Sequence, residues 1–173
     1  MVLGYVANAL GNCGGAWRDA LTYAQRAVDL NPNNAANRQT LAMQLIRFRK
    51  LDDAITHLHA AESLAPRGPL IFLSVAIRAL AYFQTGRYEE ALQTAEQSLV
   101  FHPKFLYALK DRAIYLEKLG RHEEARDTVR RLRAANRAIT LDDVESANVA
   151  SFCPPEMAAD MNATFRKVWL ETL

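Results

Sequence analysis

The amino-acid sequence predicts an all-α fold: an α-solenoid of about four helical hairpins with a C-terminal capping helix. Three observations predict it. Half the residues are hydrophobic, mostly alanine and leucine, and only 23% are charged, which favours helices around a continuous core and excludes disorder. Segments of the chain align with one another along residues 11–138. The last stretch opens on Pro155 and carries the apolar stripe Met157, Met161, Phe165, Val168 and Trp169.

The aligned segments are residues 11–33, 46–68, 83–105 and 117–138. Each starts with a turn and then a large residue, at Trp17, Leu51, Tyr88 or His122. Alanine follows three residues later, at Ala20, Ala54, Ala91 and Ala125. Ala27, Ala61, Ser98 and Leu132 recur seven residues further on. Pro32, Pro66 and Pro103 close the units at spacings of 34 and 37, so the third unit carries three extra residues. Two short helices with one apolar stripe each cannot bury those stripes alone, whereas stacked hairpins bury them continuously. Alanine fits where helix backbones approach closely, and the large residue fills the hole between paired helices. Gly86 and Gly120 mark tight turns, since glycine takes left-handed dihedrals cheaply.

The pattern predicts helices at about 2–13, 17–30, 35–48, 51–64, 69–84, 88–101, 104–119 and 122–137. Acidic residues after each turn, such as Asp52, Glu89 and Glu123, suit the positive helix N-terminus. Residues 138–154 read as a loop with one short helix at 141–147, before the final helix. The expected organisation is an array over 1–137, in units 1–34, 35–68, 69–105 and 106–137, then a linker and capping helix over 138–173. Solenoids need their last core face covered, and the final helix is expected to do this; groove occupancy and a dimer contact are its alternatives.

Charge divides unevenly. Residues 104–137 carry ten basic and five acidic residues, and residues 138–173 carry two basic and six acidic. Arg126, Arg130, Arg133 and Arg137 share one helix face and offer an acidic partner a surface. That stripe has no interleaved aromatics for stacking bases, so nucleic acid is not the expected partner. Pairing with Asp142, Asp143, Glu145, Glu156 and Asp160 is the plainer expectation. Cys13 and Cys153 have no metal-ligand spacing, and no apolar run reaches the roughly 18 residues a membrane span needs; a cytoplasmic protein is expected. The first residues read like the inside of a helix, which points to an excerpt of a longer protein.

Catalysis, cofactors and metals are not expected. His57 and His59 point about 200° apart on a helix and cannot share a metal, although Glu62 is placed to pair with His59. His102 and His122 sit at structural turns. The acid pairs Asp52-Asp53, Glu89-Glu90 and Glu123-Glu124 recur with the unit, as surface residues do and catalytic pairs do not. The glycines of residues 10–17 lack the lysine and preceding strand of a phosphate cradle.

The repeat resembles the tetratricopeptide repeat. The matching residues are Ala20, Ala24, Ala27 and Pro32; Leu41, Ala42 and Leu45 with Ala54, Leu58, Ala61 and Pro66; Ala79 and Tyr82 with Ala91, Ala95, Ser98 and Pro103; and Ala113 and Leu116 with Ala125, Val129 and Leu132. The motif's opening tryptophan is absent throughout, and the fourth unit lacks its proline. The resemblance implies a right-handed solenoid that binds a protein or peptide on its inner face. Helical spacing puts Tyr5, Gln39, Met43, Ile46, Leu80, Phe83, Tyr107, Lys110 and Ile114 on that face, which reads as apolar. It either takes a partner segment by apolar anchors, or is covered by the terminal helices or a second copy. Some family members hold a terminal carboxylate with lysines and asparagines; Tyr5, Ala9, Thr40 and Ala76 stand at those places here, so that clamp is missing. A weaker similarity, in the order of GYVANALG, AQRAVDLNPN, FQTGRYEEAL and LEKLGRHEEA, is to the C-terminal repeat region of bacterial cyclase or winged-helix regulator proteins. It implies a regulatory role beside an output domain.

Overall fold

A computed structural model describes residues 16–149 and 153–172, together with Leu3, Gly4, Val6, Ala7 and Ala9, and of Val149 the backbone alone. The helices are α1 (Trp17–Leu30), α2 (Ala35–Arg47), α3 (Leu51–Leu64), α4 (Ile71–Gln84), α5 (Tyr88–Phe101), α6 (Leu106–Lys118), α7 (His122–Ala135), α8 (Leu141–Val149) and α9 (Pro155–Leu170). The five described residues before Ala16 are N-terminal to α1, and Leu3, Gly4, Val6, Ala7 and Ala9 are all helical.

Neighbouring helices pack in chain order, more densely within the hairpins α2–α3, α4–α5 and α6–α7 than between them. The periodic alanines explain the closeness: Ala20, Ala54, Ala91 and Ala125 are all fully buried. Ser98 stands where the other units have Ala27, Ala61 and Leu132, and its hydroxyl donates to the Phe72 carbonyl at 2.7 Å. That bond allows a polar group to sit at a fully buried position.

The hairpin turns use one conformation three times. Gly86 and Gly120 have φ of 78° and 74°, and Arg49 takes the same place with φ of 60°. Arg49 donates from Nη1 to Gln84 Oε1 of the next hairpin at 2.6 Å. The three extra residues of the third unit fall at the α3–α4 join, where 65–70 form a longer connection than 31–34 or 102–105 and α4 runs to 14 residues. Helix α4 therefore starts at Ile71, two residues later than its periodicity predicts.

The large residue at the start of each second helix does not fill a hole in every unit. Leu51 is buried and Tyr88 packs on Phe83 with ring centroids 5.3 Å apart. Trp17 is about half exposed beneath Arg47, and His122 is half exposed beside Glu117.

Helix α9 covers the end of the array, contacting α6, α7 and α8. Met161, Phe165 and Val168 are fully buried, and Trp169 nearly so. Charges ring this apolar stripe. Lys167 reaches Glu117 at 2.6 Å, Lys118 reaches Asp160 at 2.7 Å, and Arg126 reaches Glu171 at 2.6 Å. The Arg133 guanidinium lies 3.9 Å from the Trp169 ring centroid. No described helix is long and apolar enough to cross a membrane.

Candidate functional site

Contacts between successive hairpins continue between their first helices, α2 with α4 and α4 with α6; no comparable contact joins successive second helices. The array is therefore tighter on the first-helix side, which is its inner face. That closeness decides what remains open there. Ile46 and Ile114 are fully buried, and Phe83 is 3% exposed and stacked on Tyr115 at 4.8 Å. These three predicted groove residues lie behind the surface and touch other core residues. Leu80 is mostly buried, Met43 is partly exposed and Tyr107 is 54% exposed. Tyr5 lies outside the described residues.

Met43, Leu80, Tyr107 and Lys110 meet in one concavity of about 310 Å3. Leu73, Ala76 and Ile77 of α4, Phe105, Asp111 and Ala147 complete its lining. Gln39 faces a different hollow of about 200 Å3, with Ala35, Gly68, Pro69 and Leu70. Sequence periodicity did not separate Gln39 from Met43, because the longer 65–70 loop makes that second hollow.

Beyond Tyr107 the inner face continues into a second concavity of about 410 Å3, between α6, residues 136–139 and α8. The two share Tyr107, Lys110 and Ala147. Lys110 is 4% exposed. Its ammonium donates to Asn148 Oδ1 and lies 2.8 Å from Asp111 Oδ1, a charge contact not aligned as a hydrogen bond. Asn148 in turn donates to Asn162 Oδ1 of α9 at 2.8 Å. No spacing in the sequence signals this link, because α8 and α6 are joined only in space.

The predicted arginine stripe is largely occupied within the chain. Arg126 bonds Glu123 and Glu171, Arg130 bonds Asp127, and Arg133 covers Trp169 while donating to the Thr172 carbonyl at 3.1 Å. Arg137 is exposed. Of the acidic residues expected to meet this stripe, Glu145 instead takes Arg166, Asp160 takes Lys118, and Asp143 accepts from Thr140. The partners of Asp160 and Glu145 lie on α6 and α9, and that of Asp143 lies just before α8.

A second polar device was missed from sequence. Arg78 and Arg112 hold the same place in α4 and α6, 34 residues apart. Arg78 donates to Glu62 at 3.0 Å and to Gln97 at 3.2 Å, and approaches Thr94 at 3.5 Å. Arg112 donates to Glu96 at 3.0 Å and to Thr128. Each arginine thus joins the preceding hairpin to its own. The signal was available in the Arg78–Arg112, Thr94–Thr128 and Glu62–Glu96 spacings, each of 34 residues. Glu62 is therefore not His59's partner; His59 lies 3.3 Å from the Tyr82 hydroxyl. His57 contacts Arg38 at 3.4 Å, and its pKa is lowered by burial first and by Arg38 second.

Among the described residues, no group of three or more His, Cys, Asp and Glu is placed to hold a metal ion. Cys13 lies outside the described residues, and Cys153 Sγ accepts from Gln84 Nε2 at 3.4 Å. A tetratricopeptide repeat family model matches residues 40–104 and again 78–139, together more than half of the chain. The chain belongs to the tetratricopeptide repeat family. No curated protein matches its sequence. Its fold is similar to that of MamA, at 15% identity and TM-score 0.67 over 94% of this chain and 91% of that one. It is also similar to PilW, a type IV pilus biogenesis factor, at 15% identity and TM-score 0.73 over 98% and 73%. TPR-like repeats from Podosopora anserina match at 16% identity and TM-score 0.67 over 99% and 95%. As a tetratricopeptide repeat protein, the chain has a scaffold fold of a generally non-catalytic class, used for protein–protein interaction.

Proposed function

We propose that this protein binds a peptide or partner helix in the apolar inner groove between α2, α4 and α6, as the regulatory part of a larger bacterial protein. The observation that carries this reading is the 310 Å3 concavity lined almost wholly by apolar side chains, with Tyr107 exposed at its edge. Met43, Leu80 and Tyr107 are the anchors, and buried Lys110 is the polar group that sets orientation. Residues 1–137 supply the groove apart from Ala147, and 138–173 supply the linker and cap. The apolar stripe of α9 is already buried within the chain, which favours the cap over a dimer contact. Three of the four stripe arginines are engaged within the chain, Arg126 and Arg130 by carboxylates and Arg133 by Trp169 and the Thr172 carbonyl, which favours a protein partner over nucleic acid.

The test is selection of helical peptides from a display library on the full chain. Selected peptides should bind Met43→Glu and Tyr107→Glu at least tenfold more weakly, and Gln93→Glu on exposed α5 unchanged. Peptides insensitive to both groove changes would place the site elsewhere.

A further inference from the structure

The groove already holds a helix at its far end, and that helix shows what the groove accepts. Helix α8 lies against the start of α6 through Val144, Ala147 and Asn148, which fall at i, i+3 and i+4 and so share one face. Val144 is 3% exposed and Asn148 is fully buried. Asn148 supplies the oxygen that Lys110 needs, since a buried ammonium without acceptors is costly. On the side away from the groove, Asp142 is exposed and Glu145 pairs with Arg166, while Asp143 lies at the rim of the hollow.

The seat is poorly filled. The 410 Å3 hollow remains between α8, residues 136–139 and α6, with Leu106, Tyr107 and Ile139 in its walls. Helix α8 has nine residues, short for a helix that must hold itself by packing. Its main helix contact is α9. Helix α9 makes its own contacts with α6 and α7 as well as with α8, to which its Asn162 and Arg166 also bond. The hollow beside α8 and the open groove share Tyr107, Lys110 and Ala147, so a longer helix entering from the open side meets α8 at Lys110.

We propose that α8 is an internal stand-in for the partner, and that the partner is an amphipathic helix which displaces α8 from Lys110. This inference rests on the groove being the binding site. The partner carries small apolar residues three apart, followed at once by a side-chain oxygen donor-acceptor such as asparagine, with acidic residues on its outer face. Larger apolar residues on the partner fill the hollow that Val144 and Ala147 leave. Because α8 is tethered, its effective concentration at the seat is on the order of millimolar, and a free helix of the same sequence competes poorly until α8 is unseated.

The experiment uses the full chain and a fluorescent peptide of residues 139–149. Its dissociation constant is measured on the native chain, on Val144→Asp/Ala147→Glu, and on the same variant with Lys110→Met. The expected result is binding at least tenfold tighter to the unseated variant, lost again with Lys110→Met, with helical content falling by no more than the nine residues of α8. Equal binding to native and unseated chains overturns the proposal. Hydrogen exchange on the unaltered native chain gives a second reading that needs no variant. Amides of 141–149 should exchange at least tenfold faster than those of α9. Equal protection of the two helices would make α8 a fixed part of the cap and overturn the proposal. Library peptides that lose affinity on Met43→Glu but ignore the unseating of α8 would overturn it while leaving the open groove as the site.

Discussion

Gly86 and Gly120 reach φ values that other residues adopt only at a cost, and a Cβ at either would meet nothing within 4 Å. The cost of alanine there is therefore conformational alone. Gly86→Ala and Gly120→Ala should each lower stability by about 1–2 kcal/mol in urea denaturation. A larger loss would mean a steric conflict that the open space does not provide. Tyr115 presents the opposite case: its side chain is wholly buried and its hydroxyl has no hydrogen-bond partner among the described residues. Burial, with Asp111 nearby, pushes its pKa well above 10.0. Tyr115→Phe should raise stability by about 1 kcal/mol, since it removes an unsatisfied polar atom and keeps the stack on Phe83. Glu117 adds a pH dependence. Burial alone would raise its pKa, but hydrogen bonds from Lys167 and His122 outweigh burial and leave it below 4.5. The bonded carboxylate thus contributes stability above pH 4.5, and this is lost as pH falls through the lowered folded value. Glu117→Gln should remove that part of the acid dependence of unfolding without flattening the rest. At this scale the sequence was informative about backbone and poor about partners. The glycine turns and buried alanines were legible from their recurrence. Arg49 in a glycine's place and the Lys110–Asn148 link were not, because neither repeats.

Helix bounds were legible to within two residues for α1 to α9, since each hairpin repeats the same apolar spacing and the same turn. The exception is informative. The three extra residues of the third unit were visible in the proline spacing, but their position at the α3–α4 join was not, because a loop carries no periodicity. The cap was also legible, through its apolar stripe. Phe165 is fully buried, so Phe165→Ala should cost about 3–5 kcal/mol by thermal or urea unfolding. The hairpin-joining arginines act at the same scale. Arg78 and Glu62 have side-chain exposures of 8% and 15%, so Arg78→Met leaves a nearly buried carboxylate without its cation. It should cost about 3 kcal/mol, and Glu62→Leu added to it should recover part of that loss. A double mutant as unstable as the sum of both single changes would show that the two side chains are not coupled.

Across the whole molecule, repetition made the fold class readable and left the binding surface only half readable. The helical period placed Ile46, Phe83 and Ile114 inward, yet successive first helices touch each other and close over them. What stays open is set by where that contact loosens, around Met43, Leu80 and Tyr107, and by α8, which the sequence showed only as a short helix without a seat. Two roles weighed for one terminal helix are divided between two: α9 covers the end of the array, and α8 lies at the far end of the groove. The methionines report on these regions separately, since Met43 lines the groove while Met161, on α9, is fully buried against the end of the array. The most direct measurement is therefore the methyl spectrum of methionine-labelled protein, titrated with a peptide selected on the full chain. Binding in the groove predicts that the Met43 methyl shifts while that of Met161 stays in place. A shift at Met161 with Met43 unchanged would put the partner on the cap and contradict the inner groove as the site.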